Sequence, residues 1–328
     1  MFSFFTNYSG ELAALGTSLC WTVTALAFEY AAKRIGSLAL NILRLFVALL
    51  IFMAINLVLH GQPFPLDAGA TVWFWLSLSG LVGFVFGDIF LFQSYIDIGA
   101  RTAQVIFVSS PLITTLLGFL FLGERVGPLG ILGMLMVVSA IVWVILGTRG
   151  SNFPRSVQDA VAQASIQESA PENERTPNLH GMRQHRTRGI IFAFLGALGQ
   201  SGGLILSKIG APHYDPLRAT EIRVIAGFTG FIIMALILGR ISEPIKAVAN
   251  KPALKALSLG AFFGPFLGVS LGLFAVQRAN TGVAATLMGL TPILIVFPSV
   301  LLYKEPLTVR EILGALGAVL GLTLLFVS

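Results

Sequence analysis

The chain has 328 residues, 55% of them hydrophobic and only 11% charged, with a formal net charge of +6. A water-soluble domain carries roughly 25% charged residues, so there are too few charges here to cover a water-facing surface, and lipid must be the solvent for much of the chain. The single Cys20 excludes a disulfide framework and any metal cluster built on thiolates, and no basic run is interleaved with aromatics as a nucleic-acid partner would require.

A spanning helix needs about 20 mostly apolar residues, because the hydrocarbon core is roughly 30 Å thick and each residue rises about 1.5 Å. Ten stretches qualify, at approximately 11–32, 39–59, 71–95, 103–122, 128–147, 188–207, 220–239, 254–275, 283–303 and 309–327. Lipid leaves no water to satisfy an open strand edge, so the expected fold class is all-α, a ten-helix membrane protein. Met1 to Gly10 carries no Lys or Arg, so the first stretch reads as a membrane helix and not as a signal peptide.

In helix one, Trp21 offers an aromatic ring at mid-depth. Glu29 stands four residues before Lys33, which puts the two on one face. Glu29 is therefore either half of a local ion pair near the interface or a cation-binding group facing a central cavity. Arg44, near the start of helix two, and Arg223, near the start of helix seven, read as interfacial. They would snorkel toward headgroups or neutralise carboxylates such as Glu221, with a solute-anion role as the alternative. Asp88 lies deep in helix three, five residues before Gln93. An ionisable group there costs about 2.5–3.5 kcal/mol on insertion scales and demands a reason. It is either a buried acid satisfied by a neighbouring helix or a proton-coupling or amine-binding site. In the second case Asp88→Asn abolishes flux driven by a pH gradient and leaves folding intact.

Pro111 and Pro292 interrupt helices four and nine, and such breaks free carbonyls that can line a cavity. Around them Gln104, Ser109, Ser110 and Thr114 on helix four, Gln200 and Ser201 on helix six, and Thr286 and Thr291 on helix nine supply modest polarity. Any single Ser or Thr can instead bond back to its own helix. Glu124 and Glu305 stand where one helix ends and another begins, a placement the helix macrodipole favours. Gly260, Gly264, Gly268 and Gly272 form one stripe along helix eight, and Gly80, Gly83 and Gly87 a shorter one on helix three. These are close-packing surfaces, or surfaces on which helices slide.

Residues 148–187 differ in character, being rich in Ser, Gln, Asn, Pro, Glu and Arg, and cannot bury enough surface to offset their ordering entropy. They read as a disordered linker with room for a short helix at 157–166. The linker divides the chain into five-helix halves, 11–147 and 188–327. A shift of 181 residues places Gly83 on Gly264, Gly87 on Gly268, Pro111 on Pro292 and Glu124 on Glu305. A shift of 179 places Arg44 on Arg223. Asp88 falls on Val269, so the repeat does not preserve the acid. Five is odd, so the halves enter the membrane in opposite senses, the inverted-repeat construction of secondary transporters. Most of the 21 Lys and Arg residues fall on the linker side, which the positive-inside rule makes cytoplasmic, with both termini outside.

Leu271 to Phe326, with Thr291-Pro292, Lys304-Glu305-Pro306 and the Gly314/Gly317/Gly321 helix, resembles the second EamA repeat of the drug/metabolite transporter superfamily. Phe90 to Leu146, with Ser110-Pro111, Gly123-Glu124 and Gly133, resembles the first. The resemblance implies a ten-helix inverted-repeat carrier of the bacterial inner membrane that exports amino acids or other metabolites. Catalytic signals are missing: there is no Gly-Lys pair for a P-loop, and His60, His180, His185 and His213 lack zinc-ligand spacing. The expectation is a secondary transporter, not an enzyme, with no cofactor or metal. It would be gradient-driven by alternating access, with a small solute, lipid and protons as coupling ion for partners. Helices one, three, four, six, eight and nine would line its site. The alternative is a non-transporting scaffold or sensor, which a solid apolar centre would favour.

Overall fold

The computed structural model describes residues 8–107, 109–147, 179–294 and scattered positions between 309 and 324. All regular structure among the described residues is helical, with no strand. Six helices are long and apolar enough to cross a membrane: Ser9–Ile35, Ser37–His60, Ala70–Ile98, Thr187–Gly210, Pro216–Ile237 and Lys251–Arg278. Two shorter apolar helices accompany them. The protein is a multi-pass membrane protein. Glu305 and the segment 157–166 lie outside the described residues.

Helices α1 (Ser9–Ile35) and α2 (Ser37–His60) are joined by Gly36 alone. Its φ of 78° suits glycine, and its amide donates to the Ala32 carbonyl at 2.8 Å. Helix α3 begins as Ala70–Gly80, widens into a π-helical stretch over Leu81–Asp88 and returns to α geometry over Ile89–Phe107. Helices α4 (Ser110–Leu122), α5 (Pro128–Gly147), α6 (Leu179–Gly210) and α7 (Pro216–Ile237) follow. The Asp215 carboxylate caps α7 by accepting from the Arg218 amide at 2.9 Å. A six-residue helix, Ser242–Ala247, leads to α8, which repeats the pattern of α3: Lys251–Ala261, a π-helical stretch Phe262–Gly268, then Val269–Arg278. Under the 181-residue shift the two wide stretches coincide, and in α8 Pro265 sits inside it, where its missing N–H breaks the α pattern. Helix α9 is Thr281–Met288, with a further turn at Thr291–Leu294.

Three boundaries differ from the sequence-based expectation. Helical bonding persists to Phe107, so Gln104 belongs to the run before the break, and Pro111 falls in the first turn of α4. Pro111 therefore does not interrupt a helix; it starts one, where its missing N–H has no intrahelical acceptor to lose. Helix α6 begins at Leu179, inside the segment read as linker. At α9 the break is real. Pro292 has no N–H for the Met288 carbonyl, which accepts instead from the Thr291 hydroxyl at 3.2 Å.

The glycine stripes face first helices across the sequence halves. A Cβ on Gly203 of α6 would stand 2.9 Å from the Gly83 Cα, and Gly199 meets Gly87 in the same way. Along α8, Gly260 faces Phe28, Gly264 faces Thr24 and Gly272 faces Thr17, all on α1. Thus α3 packs on α6 and α8 on α1 with backbones close, where dispersion supplies the association energy. Outward faces remain apolar, with Leu57 and Leu59 of α2, Phe119 and Phe121 of α4 and Leu236 and Ile237 of α7 exposed to what must be lipid.

Candidate functional site

Where α1, α3, α4, α6 and α9 converge there is a cavity. Its empty space is about 720 Å³ with the open mouth included. Trp21, Leu91, Tyr95, Phe107, Leu204 and Met288 give it apolar and aromatic walls, while Ser110, Gln200 and Thr291 supply polarity. A few polar groups on an apolar lining is the usual make-up of a small-molecule site. Gln200 lies midway along α6, between Arg188 and Lys208, so the cavity is at mid-bundle. Its Nε2 donates to Asp88 Oδ1 at 2.9 Å. Its Oε1 has no hydrogen-bond partner among the described residues, nor has the indole N–H of Trp21.

Behind Gln200 is a buried charged layer. Asp88 is fully buried and forms an ion pair with Arg44. The Arg44 Nε donates to Asn41 Oδ1 at 2.9 Å, and its guanidinium is surrounded by the rings of Phe92, Phe28 and Phe84 at 4.8, 5.5 and 5.8 Å. Arg223 is 2% exposed and lies over the other part of this layer, 5.1 Å from the Phe84 ring. The interfacial expectation for both arginines is therefore corrected: each is about two turns, roughly 10 Å, inside its helix and turned inward. Two residues before Arg223, the buried Glu221 accepts from Asn56 at 2.6 Å, so it serves neither arginine.

The two ends of the bundle differ. At one, Lys208 of α6 donates to Glu124 at 2.7 Å and to the Ala279 carbonyl at 3.0 Å. The second Glu124 oxygen accepts from the Thr281 amide at 2.9 Å and hydroxyl at 2.6 Å. This latch ties the α4–α5 corner to the end of α6 and the start of α9. Nearby, Asp67 accepts from Tyr214 at 3.0 Å and pairs with Arg218 at 2.5 Å; burial, then the Asp67 charge, push the Tyr214 hydroxyl above its ordinary range. At the other end Arg188 makes a two-pronged pair with Asp97, at 2.6 and 2.8 Å.

Burial pushes the Glu124 carboxyl up, but the hydrogen bonds from Lys208 and Thr281 outweigh it and hold the group below its ordinary value. A depressed carboxyl stabilises the fold above its unfolded pKa and loses that contribution as pH falls through the folded value. We therefore expect the melting temperature to fall on acidification below about pH 4.3, the ordinary glutamate value. Glu124→Gln should flatten that dependence, and an unchanged acid limb in the variant would remove Glu124 as its source.

Of the residues singled out from sequence, Trp21, Ser110, Pro111, Gln200 and Thr291 line the cavity. Ser201 stands behind Ser110, with the hydroxyls 2.9 Å apart. Asp88 reaches the cavity only through Gln200. Glu29 instead pairs with Lys33 at 2.8 Å, and Gln93 bridges Ser37 at 3.0 Å and Asp97 at 3.1 Å. Thr286 bonds back to the Gly282 carbonyl at 2.8 Å. Gly264 and Gly268 lie in the α1–α8 seam. The side chains of Gln104 and Pro292 are outside the described set. Sequence reasoning missed Leu91 and Tyr95, although their i+3 and i+7 spacing from Asp88 puts them on one helix face. It also missed Lys208, which nothing in the sequence linked to Glu124. No cluster of three metal-ligating side chains occurs among the described residues.

A multi-pass helical bundle with a cavity at mid-depth, reached by few polar groups, defines the architecture of a membrane transporter. The sequence pattern of the EamA-like transporter family matches residues 8–146 and again 187–327, and the chain belongs to that family. It is 25% identical over 254 residues to an uncharacterized transporter of Synechocystis sp., covering 77% of this chain and 71% of that one. A solved crystal structure shares the fold at a TM-score of 0.65 and 18% identity, covering 97% of this chain and 96% of the other. The protein is a membrane transporter.

Proposed function

We propose that the protein is a gradient-driven secondary carrier that exports a small metabolite, such as an amino acid, by alternating access. It would sit in a bacterial inner membrane with the 148–187 segment cytoplasmic, the side the basic residues favour. The mid-bundle cavity carries this reading, since a scaffold has no need of an open centre where Ser110, Gln200 and Thr291 interrupt apolar walls. The latch of Glu124, Lys208 and Thr281 supports it: it closes one end of the bundle with bonds between the two halves, the kind of contact that must break for access to alternate. Protons are the coupling ion this reading favours, through the Asp88 layer.

Proteoliposome counterflow with amino acids, nucleosides, sugars and organic cations tests the reading, and no saturable flux with any class would sink it. Trp21 presents the largest ring on the cavity wall, and a buried aromatic contact is worth about 2–3 kcal/mol. Trp21→Ala is therefore expected to weaken solute binding by roughly 30- to 150-fold, at tenfold per 1.4 kcal/mol. An unaltered KM in that variant would move the solute away from this cavity.

A further inference from the structure

The seam between α2 and α7 holds a second buried acid. Glu221 and Asn56 are both 0% exposed, and Asn56 Nδ2 donates to Glu221 Oε2 at 2.6 Å. The atoms left over are both acceptors: Glu221 Oε1 and Asn56 Oδ1 have no hydrogen-bond partner among the described residues. No cation forms an ion pair with this carboxylate either. Arg218, one turn earlier on α7, pairs with Asp67 at 2.5 Å, and Arg223, two residues on, lies over the Phe84 ring. Helix α7 packs against α2, α3 and α8. On those helices Arg44 and Asp88 hold each other, Tyr95 lines the cavity and Arg278 lies over the Phe274 ring. His60 is exposed at the end of α2, and Asp97, Lys251 and Lys255 stand toward the opposite end of the bundle. A carboxylate sealed from water needs more than one amide bond. What the pair lacks is a hydrogen.

The scaffold does not require it. The 179-residue shift that places Arg44 on Arg223 also places Ile42 on Glu221 and Asn56 on Ala235. Ile42 and Ala235 are buried in one apolar cluster, so the matching positions of α2 and α7 pack without polar groups. An acid kept on one side alone calls for a reason other than packing. Its depth suits exchange with water at one end. Glu221 is five residues, roughly 8 Å, into α7, behind the Asp67–Arg218 pair, whose Asp67 is 48% exposed. Helix α7 also abuts α3, where the Arg223 carbonyl leaves Gly80 no room for a Cβ, and α3 carries Leu91 and Tyr95 to the cavity wall.

We propose that Glu221 is the proton-binding residue of this carrier. Its carboxylate takes a proton from water at the Asp67 end, holds it as an O–H that donates to the Asn56 amide oxygen, and releases it on the linker side when the bundle opens there. The proposal rests on the carrier reading and gives its coupling proton a site, since Arg44 already answers Asp88. The protonated pair is neutral; the ionised one puts a negative charge beside Arg218 and Arg223, at the edge of the Asp88 layer.

Two measurements on the full chain test it. In nanodiscs, infrared difference spectra between about pH 5 and about pH 9, a span that buried carboxyls can reach, should show a carboxylic C=O band that Glu221→Gln abolishes and Asn56→Leu shifts. A spectrum unchanged by Glu221→Gln would overturn the proposal. In proteoliposomes, with amino acids, nucleosides, sugars and organic cations as solutes, counterflow exchanges solute without net proton movement. Glu221→Gln, whose amide supplies the missing N–H, should keep counterflow and lose flux driven by a pH gradient at least about tenfold, within the usual range of coupling between sites. Glu221→Asp should keep part of the gradient-driven flux. Gradient-driven flux that survives Glu221→Gln overturns the proposal, as does counterflow lost together with it in a folded variant. If the unmodified protein shows counterflow but ignores the pH gradient, the proton site fails and the carrier stands. If nothing is carried, the carrier reading fails, and the infrared band alone decides whether Glu221 binds a proton.

Discussion

Replacing Asp88 by asparagine is expected to destabilise the protein by about 3–5 kcal/mol, the usual cost of breaking a buried ion pair by removing one partner. Asp88 and Arg44 are both 0% exposed, and no solvent can reach the charge left behind. Arg44 would retain only the Asn41 bond and the aromatic rings around it, while Arg223, whose Nε has no partner among the described residues, would lose the opposing charge of Asp88. The amide of the new asparagine would also face the Gln200 Nε2, donor against donor in one of its two rotamers. The sequence alone suggested that this substitution spares folding; the pair with Arg44 reverses that expectation. Replacing both partners, as in Arg44→Met with Asp88→Asn, should recover much of the loss, because no uncompensated charge is then left buried and the new amide keeps Gln200 beside it. Thermal melts of the two single variants and the double one form the required cycle. Equal melting temperatures for Asp88→Asn and the unmodified protein would mean that the pair contributes nothing net.

Gly199→Val is expected to be at least as damaging. A Cβ at this position would stand 2.7 Å from the Gly87 nitrogen, and at Gly203 2.9 Å from the Gly83 Cα. Overpacking usually costs about 1–3 kcal/mol because side chains can move aside. Here the obstacle is the backbone of α3, so the α3–α6 seam must part along its length. The same seam positions Gln200, which is next to Gly199, against Asp88. We expect loss of the monodisperse peak on size exclusion, with Gly199→Ala intermediate. A full yield of monodisperse Gly199→Val would show that the helices can separate without cost.

Much of the fold was legible because bilayer thickness sets the length of an apolar run, and six such runs reappear as long helices. Glycine spacing likewise marked the seams, though not which helices they join; α3 with α6 and α8 with α1 needed coordinates. The candidate site was legible by residue type more than by role. Gln200 and Gln93 are the same amide on neighbouring helices, yet one borders the cavity and the other bridges Ser37 and Asp97. A polar side chain in an apolar run announces that it needs a partner, but sequence does not say whether the partner is a solute or the next helix. Arg44 and Arg223 were misplaced for a related reason. Distance from a helix start gives depth, and only packing gives direction.

The ties at the two ends of the bundle will respond unequally to ionic strength. In the Arg188–Asp97 pair the arginine is 45% exposed over a carboxylate that is 2% exposed, whereas Lys208 and Glu124 are 18% and 15% exposed. Counter-ions screen exposed charges over roughly 8 Å at physiological salt and reach shielded ones far less. Added salt should therefore loosen the Arg188 end while the Glu124 end stays shut. Salt concentration then becomes a handle on which end of this transporter gives way first, independent of any solute.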